Sequence, residues 1–298
     1  MPDPAAPPTV TRVSLVVNSG KPEAVDAAKA VRRAIESHAR LVGEFDSTDE
    51  HAALADGVDL AIVLGGDGTI LGLARSAVEA GVAVLGINFG KLGFLAEFDA
   101  NAFSKHAATL LAGRGQIRKV SALEARVSRK GEEIARQVAI NDVAICNGAP
   151  FRMIELGLCI DGAPSESAPR VAGDGLIIAT PTGSTAYNAA AGGPILEPTL
   201  EAMVVTPIAA HSLSFRPIVV PGRSCIEVVA HRVNHAEGHE PTAGTCAVLD
   251  GQHSVPLERG DVVRVTVSDR PLSLVVNPDR SYWHTLIHKL RWASTPGG

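Results

Sequence analysis

A glycine-rich pentapeptide, Gly65-Gly66-Asp67-Gly68-Thr69, is the segment of this sequence best suited to chemistry. It follows an apolar run typical of a buried strand, Leu60–Leu64, and precedes a segment with helical periodicity. The glycines let the backbone adopt positive φ and approach a ligand closely, and the free N–H groups of a helix N-terminus favour anions. A carboxylate in such a cradle would repel an anion. Asp67 is therefore predicted to bind a divalent cation or to take a proton from an attacking hydroxyl.

The same pentapeptide also has a purely structural interpretation. It could be a tight strand-to-helix turn with an Asp near the N-cap, where Asp is favoured. The chemical interpretation is preferred because strand, loop and helix occur in the required order. Two other phosphate-binding motifs are excluded by spacing: G-x-G-x-x-G is absent here, and Gly86–Leu92 has three residues between its glycines and a Leu where a P-loop needs Ser or Thr.

A second candidate is the polar segment Thr180–Tyr187, which follows the apolar run Leu176–Ala179 and leads into Ala186–Ala191. This order predicts a strand, a polar loop and a short helix capped by Ser184 or Thr185. Small side chains would let a flat ligand lie against the backbone, while the hydroxyl groups would provide directional hydrogen bonds. A capped surface helix would explain the hydroxyl residues, but not the run of Ala and Gly in a β-rich region.

Two further polar sites, an Asn-Asp pair and a single Asp, are weaker candidates for ligand binding. Asn141 and Asp142 combine an amide and a carboxylate, which suits ribose hydroxyls or an adenine edge. Asp174 lies between two glycines and could contact a ligand. Both residue types, Asn and Asp, are also ordinary in turns, so each position alone predicts little.

Neither the histidines nor the cysteines form a recognisable metal or redox motif. His231, His235 and His239 are spaced four apart, but the glycine and proline beside them oppose a helix, so a solvated loop is expected within His231–Thr245. The four cysteines include no Cys-x-x-Cys pair. A chain of this length needs no disulfide, which favours a reducing compartment.

The elements that must position these residues change character along the chain. Residues 13–117 alternate strand-length and helical patterns, which predicts an α/β domain with a parallel sheet in a Rossmann-like layout. Residues 118–280 predict an all-β domain of short strands, and 281–298 a C-terminal helix and tail returning to the N-terminal domain. The proline-rich residues 1–12 are expected to be a disordered arm. Individual predicted elements include a helix over Ile70–Ala80 closed by Gly81 and a strand over Ile134–Ala144.

Composition narrows the class of protein. The 298 residues carry 27 Lys and Arg against 32 Asp and Glu, a net charge of −5, and only 4% are aromatic. Nucleic-acid binding is disfavoured, because there is no basic field and there are few rings on which bases could stack. No apolar run approaches the ~20 residues that span a bilayer, and the first residues lack a signal peptide's apolar region. We expect a cytoplasmic enzyme with no membrane partner.

Taken together, the motifs resemble those of the bacterial NAD kinases, an ATP- or polyphosphate-dependent family. The pentapeptide alone is not specific, since diacylglycerol- and sphingosine-kinase relatives share it, whereas the long block Gly173–Ile195 is highly specific. The resemblance covers most of the chain, from about Val13 to Trp292. The segments that carry it are Gly65–Thr69, Gly86–Leu95, Ile140–Asp142, Gly173–Ile195, His211–Val220 and Asp250–Gln252.

This resemblance implies a reaction and an architecture. The reaction is phosphorylation of the 2′-hydroxyl of the adenosine ribose of NAD to give NADP. ATP or, in some members, inorganic polyphosphate is the donor, and a divalent metal ion, with Mg²⁺ the expected one, assists. The architecture is an α/β N-terminal domain and a β-rich C-terminal domain with NAD between them, in a homodimer or homotetramer.

Individual residues follow from the same resemblance. It implies that Asp67 is the general base toward the 2′-hydroxyl, and it assigns no metal ligand. Ala172 stands where some relatives carry Lys or Arg, so the phosphate charge is expected to be neutralised elsewhere, for example by Arg170. Phe89 stands where many relatives have a basic residue, a departure that bears on the contacts to the donor phosphates. The positions that match substrate- and nucleotide-binding residues are Gly68, Asn141, Asp142, Arg152, Asp174, Thr182, Thr185, Ala186, Tyr187, Asn188, Ala189, Ala190 and Gln252.

Two alternatives from other functional classes remain at this point. A lipid kinase of the diacylglycerol-kinase type would share the pentapeptide, but it should also have an apolar or amphipathic membrane-facing segment and would leave Thr180–Tyr187 unexplained. A dinucleotide sensor that has lost catalysis would gain nothing from the charge of Asp67. Tight NAD binding without product formation would favour the sensor.

Overall fold

The computed structural model describes residues 11–55, 57–90, 93–162, 168–235 and 244–292. The chain divides into two compact units. Unit 1 comprises Met1–Lys119 together with Leu272–Gly298, and unit 2 comprises Val120–Pro271. No helix among the described residues is both long enough and apolar enough to cross a membrane. The predicted arm falls almost entirely on residues 1–10, which lie outside the described part of the chain.

Unit 1 is built on a six-stranded sheet with the order β2-β1-β3-β4-β18-β5. The β1–β2, β1–β3, β3–β4 and β4–β18 pairs are all parallel. Its strands are β1 (Arg12–Val17), β2 (Arg40–Asp46), β3 (Leu60–Leu64), β4 (Ala83–Ile87), β5 (Ile117–Val120) and β18 (Leu272–Val275). Its helices are α1 (Pro22–His38), α2 (Glu50–Ala53), α3 (Asp67–Ala80), α4 (Ala100–Thr109), which continues into a π-helical turn at Leu110–Arg114, and α6 (Tyr282–Leu290).

The apolar pattern of the sequence explains this arrangement. All five residues of β3 are buried, as expected for a central strand of a parallel sheet covered on both faces. In α1 the buried residues Ala24, Ala28, Val31 and Ile35 follow the helical repeat and pack into the unit 1 core. Because parallel strands end at one edge of a sheet, the loops that follow β1, β3 and β4 lie together.

Unit 2 consists of two six-stranded antiparallel sheets, ordered β10-β9-β14-β17-β6-β7 and β13-β12-β11-β8-β15-β16. Inward-facing residues of both sheets form one buried core. The first sheet contains β6 (Leu123–Arg129), β7 (Glu132–Ala139), β9 (Ile154–Ile160), β10 (Arg170–Gly173), β14 (Ile226–Arg232) and β17 (Val262–Val267). The second contains β8 (Asp142–Cys146), β11 (Gly175–Ala179), β12 (Ala202–Ile208), β13 (Ile218–Pro221), β15 (Cys246–Leu249) and β16 (His253–Pro256). A 3₁₀ turn, Gly183–Thr185, and α5 (Tyr187–Ala190) follow β11.

The predicted fold class is confirmed: an α/β N-terminal domain precedes a β-rich one. The single strand predicted over Ile134–Ala144 is wrong, because the chain leaves the first sheet after Ala139 and enters the second at Asp142. The helix predicted from Ile70 begins three residues earlier, at Asp67, and ends as expected at a left-handed Gly81. The strand β2 and helix α4 lacked a clear apolar repeat and were not predicted.

The boundaries between unit 1 and unit 2 differ from the domain boundaries predicted from the sequence. The first falls at residues 119/120 instead of 117/118, and the second at 271/272 instead of 280/281. The return to unit 1 starts earlier because Leu272–Val275 is a strand of the parallel sheet, with Leu274 opposite Val84. A short apolar strand resembles the β-strands before it in composition, so its change of sheet leaves no signal in the sequence.

Candidate functional site

The glycine-rich loop of unit 1 joins β3 directly to α3. Gly66 is the N-cap residue with φ −94°, and Asp67 is the first residue of the helix. None of Gly65, Gly66 and Gly68 uses the positive φ that a glycine permits. Close packing explains Gly65 instead: a Cβ there would lie 2.5 Å from Thr69 Oγ1. Asn18 Nδ2, after β1, donates to the same Thr69 oxygen over 2.9 Å, which fixes the loop.

The Asp67 carboxylate accepts four hydrogen bonds. Phe94 N donates to Oδ2 over 2.9 Å, and Leu95 N and Ala96 N donate to Oδ1 over 3.0 Å each. Lys289 Nζ, in the last turn of α6, donates to Oδ2 over 2.9 Å. The side chain therefore does not cap its own helix. It binds the loop that follows β4 and remains 26% exposed.

Gly93 makes this arrangement possible. A Cβ on Gly93 would lie 1.8 Å from Asp67 Oδ1, so any side chain there would collide with the carboxylate. The loop is held from its other end by Glu97, which is buried and accepts hydrogen bonds from Arg118 over 2.6 Å and from Asn277 N over 3.0 Å. The chain directly after residues 94–96 is thus anchored, while the segment itself is bound to Asp67.

These contacts keep Asp67 ionised. Burial raises the pKa of its carboxyl group, but the hydrogen bonds from Ala96, Lys289 and Phe94 and the positive charge of Lys289 outweigh burial, so the pKa lies below the usual 3.8. Lys289 also lies over the ring of Phe94, 4.8 Å from the centroid. The Phe94 ring is in turn 6.0 Å from that of Tyr282, at the start of α6.

In unit 2, Asn141 and Asp142 lie at the break between β7 and β8. Asp250, in the turn after β15, causes this break: its carboxylate accepts hydrogen bonds from Ile140 N over 2.8 Å, from Asn141 N over 2.7 Å and from Asp142 N over 3.2 Å. Asp250 N donates in return to Asp142 O over 3.0 Å. The Asp-Gly turn, known from the sequence only as part of the resemblance, thus positions the Asn141-Asp142 pair.

Asp142 has an unusual ionisation state. Its side chain is only 4% exposed and, within the described residues, receives no hydrogen bond. Burial, followed by the nearby charge of Asp250, raises the pKa of Asp142 to about 7. A carboxyl group that keeps its proton near neutral pH can donate a hydrogen bond as well as accept one.

The polar loop after β11 packs against the same pair. Thr180 N donates to Asn141 O over 2.9 Å, and Thr180 Oγ1 donates to Ile140 O over 2.7 Å. A Cβ on Gly183 would lie 1.9 Å from Asn141 O, so this glycine is needed for close approach. The predicted helix cap is wrong: Ser184 is fully buried and its hydroxyl donates to Pro181 O over 2.5 Å.

The remaining predicted residues of unit 2 divide into accessible and buried groups. Thr185, Ala186, Tyr187, Ala189 and Ala190 keep accessible surface, whereas Thr182 is 9% exposed. Asn188 is fully buried, and its side chain bonds Ser184 O, Pro194 O and Thr206 Oγ1, so its role is structural in this state.

Three predicted positions lie on turns and connections of unit 2. Asp174 Oδ1 accepts a hydrogen bond from Asn147 over 3.0 Å. Gln252 and Arg152 are both exposed. Asn234, within the predicted solvated loop, is instead buried and donates to Arg152 O over 2.7 Å, while residues 236–243 of that loop lie outside the described part.

The structure therefore gathers the predicted residues into two groups. Asp67 and Gly68 belong to unit 1, and the positions from Asn141 to Gln252 belong to unit 2. Within unit 2, Asn141 contacts Thr180 and Gly183 of the loop after β11. Sequence reasoning missed Lys289 and Gly93, because nothing in their local sequence links them to Asp67, which is 222 residues from Lys289.

No group of three or more His, Cys, Asp or Glu residues in the described ranges is arranged to hold a metal ion. Mg²⁺ at nucleotide sites commonly takes only one or two carboxylates and completes its shell with phosphate oxygens and water. The described residues thus provide no metal cage of their own.

Two family models match the chain in order. The model of the ATP-NAD kinase N-terminal domain matches residues 32–115, and that of the ATP-NAD kinase C-terminal domain matches residues 140–276. Among solved structures, an NAD kinase from Archaeoglobus fulgidus in complex with ATP has a TM-score of 0.70 at 26% identity, covering 94% of this chain and 99% of that chain. Yeast NADH kinase complexed with NADH shares the fold with a TM-score of 0.77 at 23% identity, covering 96% of this chain and 89% of that chain.

Sequence relatives of known name agree with these models. The NAD kinase of Thiobacillus denitrificans is 41% identical over 251 residues, covering 84% of this chain and 82% of that protein. The NAD kinase of Desulforamulus reducens is 40% identical over 281 residues, covering 88% of this chain and 92% of that protein. The resemblance seen in the motifs is thereby confirmed along both units. This chain belongs to the ATP-NAD kinase family.

Proposed function

We propose that this NAD kinase family member transfers the γ-phosphoryl group of ATP to the 2′-hydroxyl of the adenosine ribose of NAD, with Asp67 as the base. The single observation that carries the assignment of Asp67 is its carboxylate at the start of α3, which is ionised, partly exposed and fixed by the backbone N–H groups of residues 94–96. Membership of the NAD kinase family supports the reaction itself.

The chemistry follows from these contacts. The 2′-oxygen forms a bond to the γ-phosphorus as the bond from that phosphorus to the bridging oxygen of ADP breaks. The hydroxyl proton passes to Asp67. Phosphoryl transfer proceeds through a loose transition state in which positioning and charge stabilisation matter most. A carboxylate with a low pKa is then sufficient, since it orients the hydroxyl and accepts its proton as the new bond forms.

Unit 2 is proposed to recognise the nucleotide. Asn141 offers an amide, and Asp142 offers a carboxyl group whose pKa of about 7 leaves about half of the molecules protonated at pH 7. Burial is the main cause that raises the pKa of Tyr187, and the neighbouring Cys146 is the second. The Tyr187 hydroxyl therefore keeps its proton and is also a hydrogen-bond donor. Small residues such as Ala186 and Ala189 leave room for a flat ring, and Thr185, directly before Ala186, is partly exposed.

ATP is proposed as the donor together with Mg²⁺. The metal ion would neutralise charge on the phosphates, and it is proposed to arrive on ATP because the described residues form no cage for it. We assign none of this chain's residues as its ligand. Inorganic polyphosphate is the alternative donor, and replacing ATP by polyphosphate in the same assay distinguishes the two.

We also propose that the protein acts as a cytoplasmic homo-oligomer. The resemblance to bacterial NAD kinases supports both properties, and the four cysteines, all free, suit a reducing compartment. Light scattering of the purified protein tests the oligomer and separates a dimer from a tetramer. A monomer at micromolar concentration would contradict the proposal.

The direct test is a coupled assay for NADP formation from NAD, ATP and Mg²⁺, with wild-type protein and Asp67→Asn in parallel. We expect the wild type to form NADP and Asp67→Asn to lose at least about 1,000-fold in kcat, because the amide cannot take the proton. Calorimetric titration should show that the variant still binds NAD. Absence of NADP with both ATP and polyphosphate would refute the kinase, and full activity of Asp67→Asn would remove Asp67 from the chemistry.

A further inference from the structure

The C-terminal helix α6 places a lysine directly on the proposed base. Ser281 caps the helix by accepting a hydrogen bond from His284 N, and Thr285 and Leu286 bury one of its faces. Lys289, one turn beyond that buried face, contacts Asp67 Oδ2 over 2.9 Å. The Lys289 side chain is 34% exposed, so its ammonium group lies at the rim of the site rather than in the core.

The hydrogen bonds on Asp67 leave no acceptor site free for a substrate. A carboxylate offers about four lone-pair positions. Leu95 N and Ala96 N occupy those of Oδ1, while Phe94 N and Lys289 Nζ occupy those of Oδ2. The three N–H groups belong to a backbone segment anchored by Glu97, whereas the Lys289 side chain has rotatable bonds. A ribose hydroxyl can therefore donate to Asp67 only at the position that Lys289 fills.

The surroundings of Asp67 are suited to attract an anion. The N-terminus of α3 begins at Asp67, and Lys21 Nζ is near enough to Gly66 to lie 3.3 Å from a Cβ placed there. Both groups would attract the negatively charged phosphoryl group during transfer. That phosphoryl group would then be a new partner for the displaced Lys289 ammonium group. Arg170, the residue expected from the sequence to neutralise phosphate, is instead paired with Glu155 over 2.9 Å in unit 2.

We propose that Lys289 is a further catalytic residue, which gives up Asp67 to the ribose hydroxyl when NAD binds and then contacts the transferring phosphoryl group. The inference rests on the proposed function, since it requires Asp67 to be the base. In this exchange each charged group keeps a partner. The Lys289 ammonium group moves from the Asp67 carboxylate to the phosphoryl group, and Asp67 gains the ribose hydroxyl that it deprotonates. An ammonium group suits this role as a mobile point charge for phosphate.

The experiment compares Lys289→Met, Lys289→Gln and Lys289→Arg in the NADP assay. We expect both neutral variants to lower kcat by about 100-fold, the usual cost of removing one group that stabilises transition-state charge. The KM for NAD should stay constant or fall, because Asp67 is no longer occupied before NAD binds. Lys289→Arg should recover most of kcat, which a purely structural role would not require. Two neutral variants are used so that a folding defect in one does not decide the result.

Lys105→Met is the matched control. Lys105 pairs with Asp279 over 2.7 Å, so it too joins the body of unit 1 to the C-terminal segment, but its contact does not involve Asp67. The kcat of Lys105→Met should stay within about twofold of wild type, because an exposed ion pair contributes little. Loss of kcat in this control as large as in the Lys289 variants would overturn the proposal, because any loosening of the C-terminal segment would then explain the effect.

Two further outcomes would overturn the inference. Wild-type kcat in Lys289→Met and Lys289→Gln would make the contact with Asp67 merely structural, and a raised kcat would make Lys289 only an obstacle. Either result leaves the proposed function intact as long as Asp67→Asn is inactive. If Asp67→Asn is active, the assignment of the base fails first, and the role of Lys289 falls with it.

Discussion

Asp67 in unit 1 and Asp142 in unit 2 are both largely withdrawn from water, yet their pKa values move in opposite directions. Burial is the largest influence on each carboxyl group, and in each it raises the pKa. At Asp67, three N–H groups and Lys289 reverse that effect and bring the pKa below the usual 3.8. At Asp142 no hydrogen bond from the described residues opposes burial, Asp250 adds repulsion, and the pKa rises to about 7.

The comparison shows that hydrogen-bond donors, more than the depth of burial, decide whether these two carboxyl groups keep a proton. In unit 2 the N–H groups that could have stabilised an ionised Asp142 are taken by Asp250, which binds the amides of residues 140–142. One carboxylate thus collects the donors and its neighbour keeps a proton. In the proposed function this difference separates the roles, since a base must be ionised whereas a recognition group can use a proton.

The largest effect is expected from removing the donors of Asp67. In Gly93→Ala, the new methyl group would lie 1.8 Å from Asp67 Oδ1, so loop and carboxylate must separate. We expect kcat for NADP formation to fall by about 100- to 1,000-fold, because the base loses its orientation. Gly72→Ala is the control: it lies in the same helix as Asp67, and a Cβ there meets nothing within 4 Å. Equal activities of the two variants would contradict the role given to the 94–96 amides.

A smaller effect is expected from weakening Asp250. In Asp250→Asn an NH2 group replaces one carboxylate oxygen, so a donor would face the backbone N–H groups of residues 140–142. We expect a loss of about 2–3 kcal/mol in stability and about a tenfold rise in the KM for NAD. Urea unfolding and steady-state kinetics measure the two quantities.

Asp161→Asn provides the comparison for Asp250→Asn. Asp161 is also a turn residue of unit 2 and accepts a hydrogen bond from Cys225 N over 2.8 Å, but it is exposed and remote in sequence from the Asn141-Asp142 pair. Its KM for NAD should match that of wild type. A tenfold rise in both variants would show that KM reports only general destabilisation of unit 2.

The smallest effect is the pH dependence of stability at Asp142. Its folded pKa, about 7, lies above the unfolded value of 3.8, so the folded protein holds the proton more tightly. The stabilisation is complete below pH 3.8 and is lost as the pH rises toward 7. Asp142→Asn cannot ionise, so wild type should lose about 1–2 kcal/mol relative to it between pH 5 and 7. Thermal unfolding across this range measures the difference.

The groups around Asp142 define when this prediction would be contradicted. Asp250 is the charged neighbour, and the charge of Asp142 also acts on the thiol of Cys146 and the hydroxyl of Tyr187. Burial is the first cause that raises the pKa of each of these two groups, so they stay neutral from pH 5 to 7. Parallel pH profiles of wild type and Asp142→Asn would therefore mean that Asp142 is ionised throughout the range.

Much of the fold was predictable from local pattern. The apolar run Leu60–Leu64 is a buried strand, and α1 begins at Pro22 as its periodicity indicates. The break at residues 140–141 was not predictable, because the run Ile134–Ala144 is apolar enough for one strand. Only the acceptor on Asp250, 109 residues from Asn141, interrupts it.

The sequence by itself determined the family, the alternation of α/β and β-rich regions, and the placement of Asp67 between a strand and a helix. These properties depend on residue type and spacing along the chain. The tertiary structure alone decided which groups surround each acid: the 94–96 amides and Lys289 at Asp67, and Asp250 beside Asp142. A pKa depends on charges and donors within a few ångströms, and those come from segments distant in sequence. Two acids that look alike in a motif therefore acquire opposite ionisation only when the chain folds.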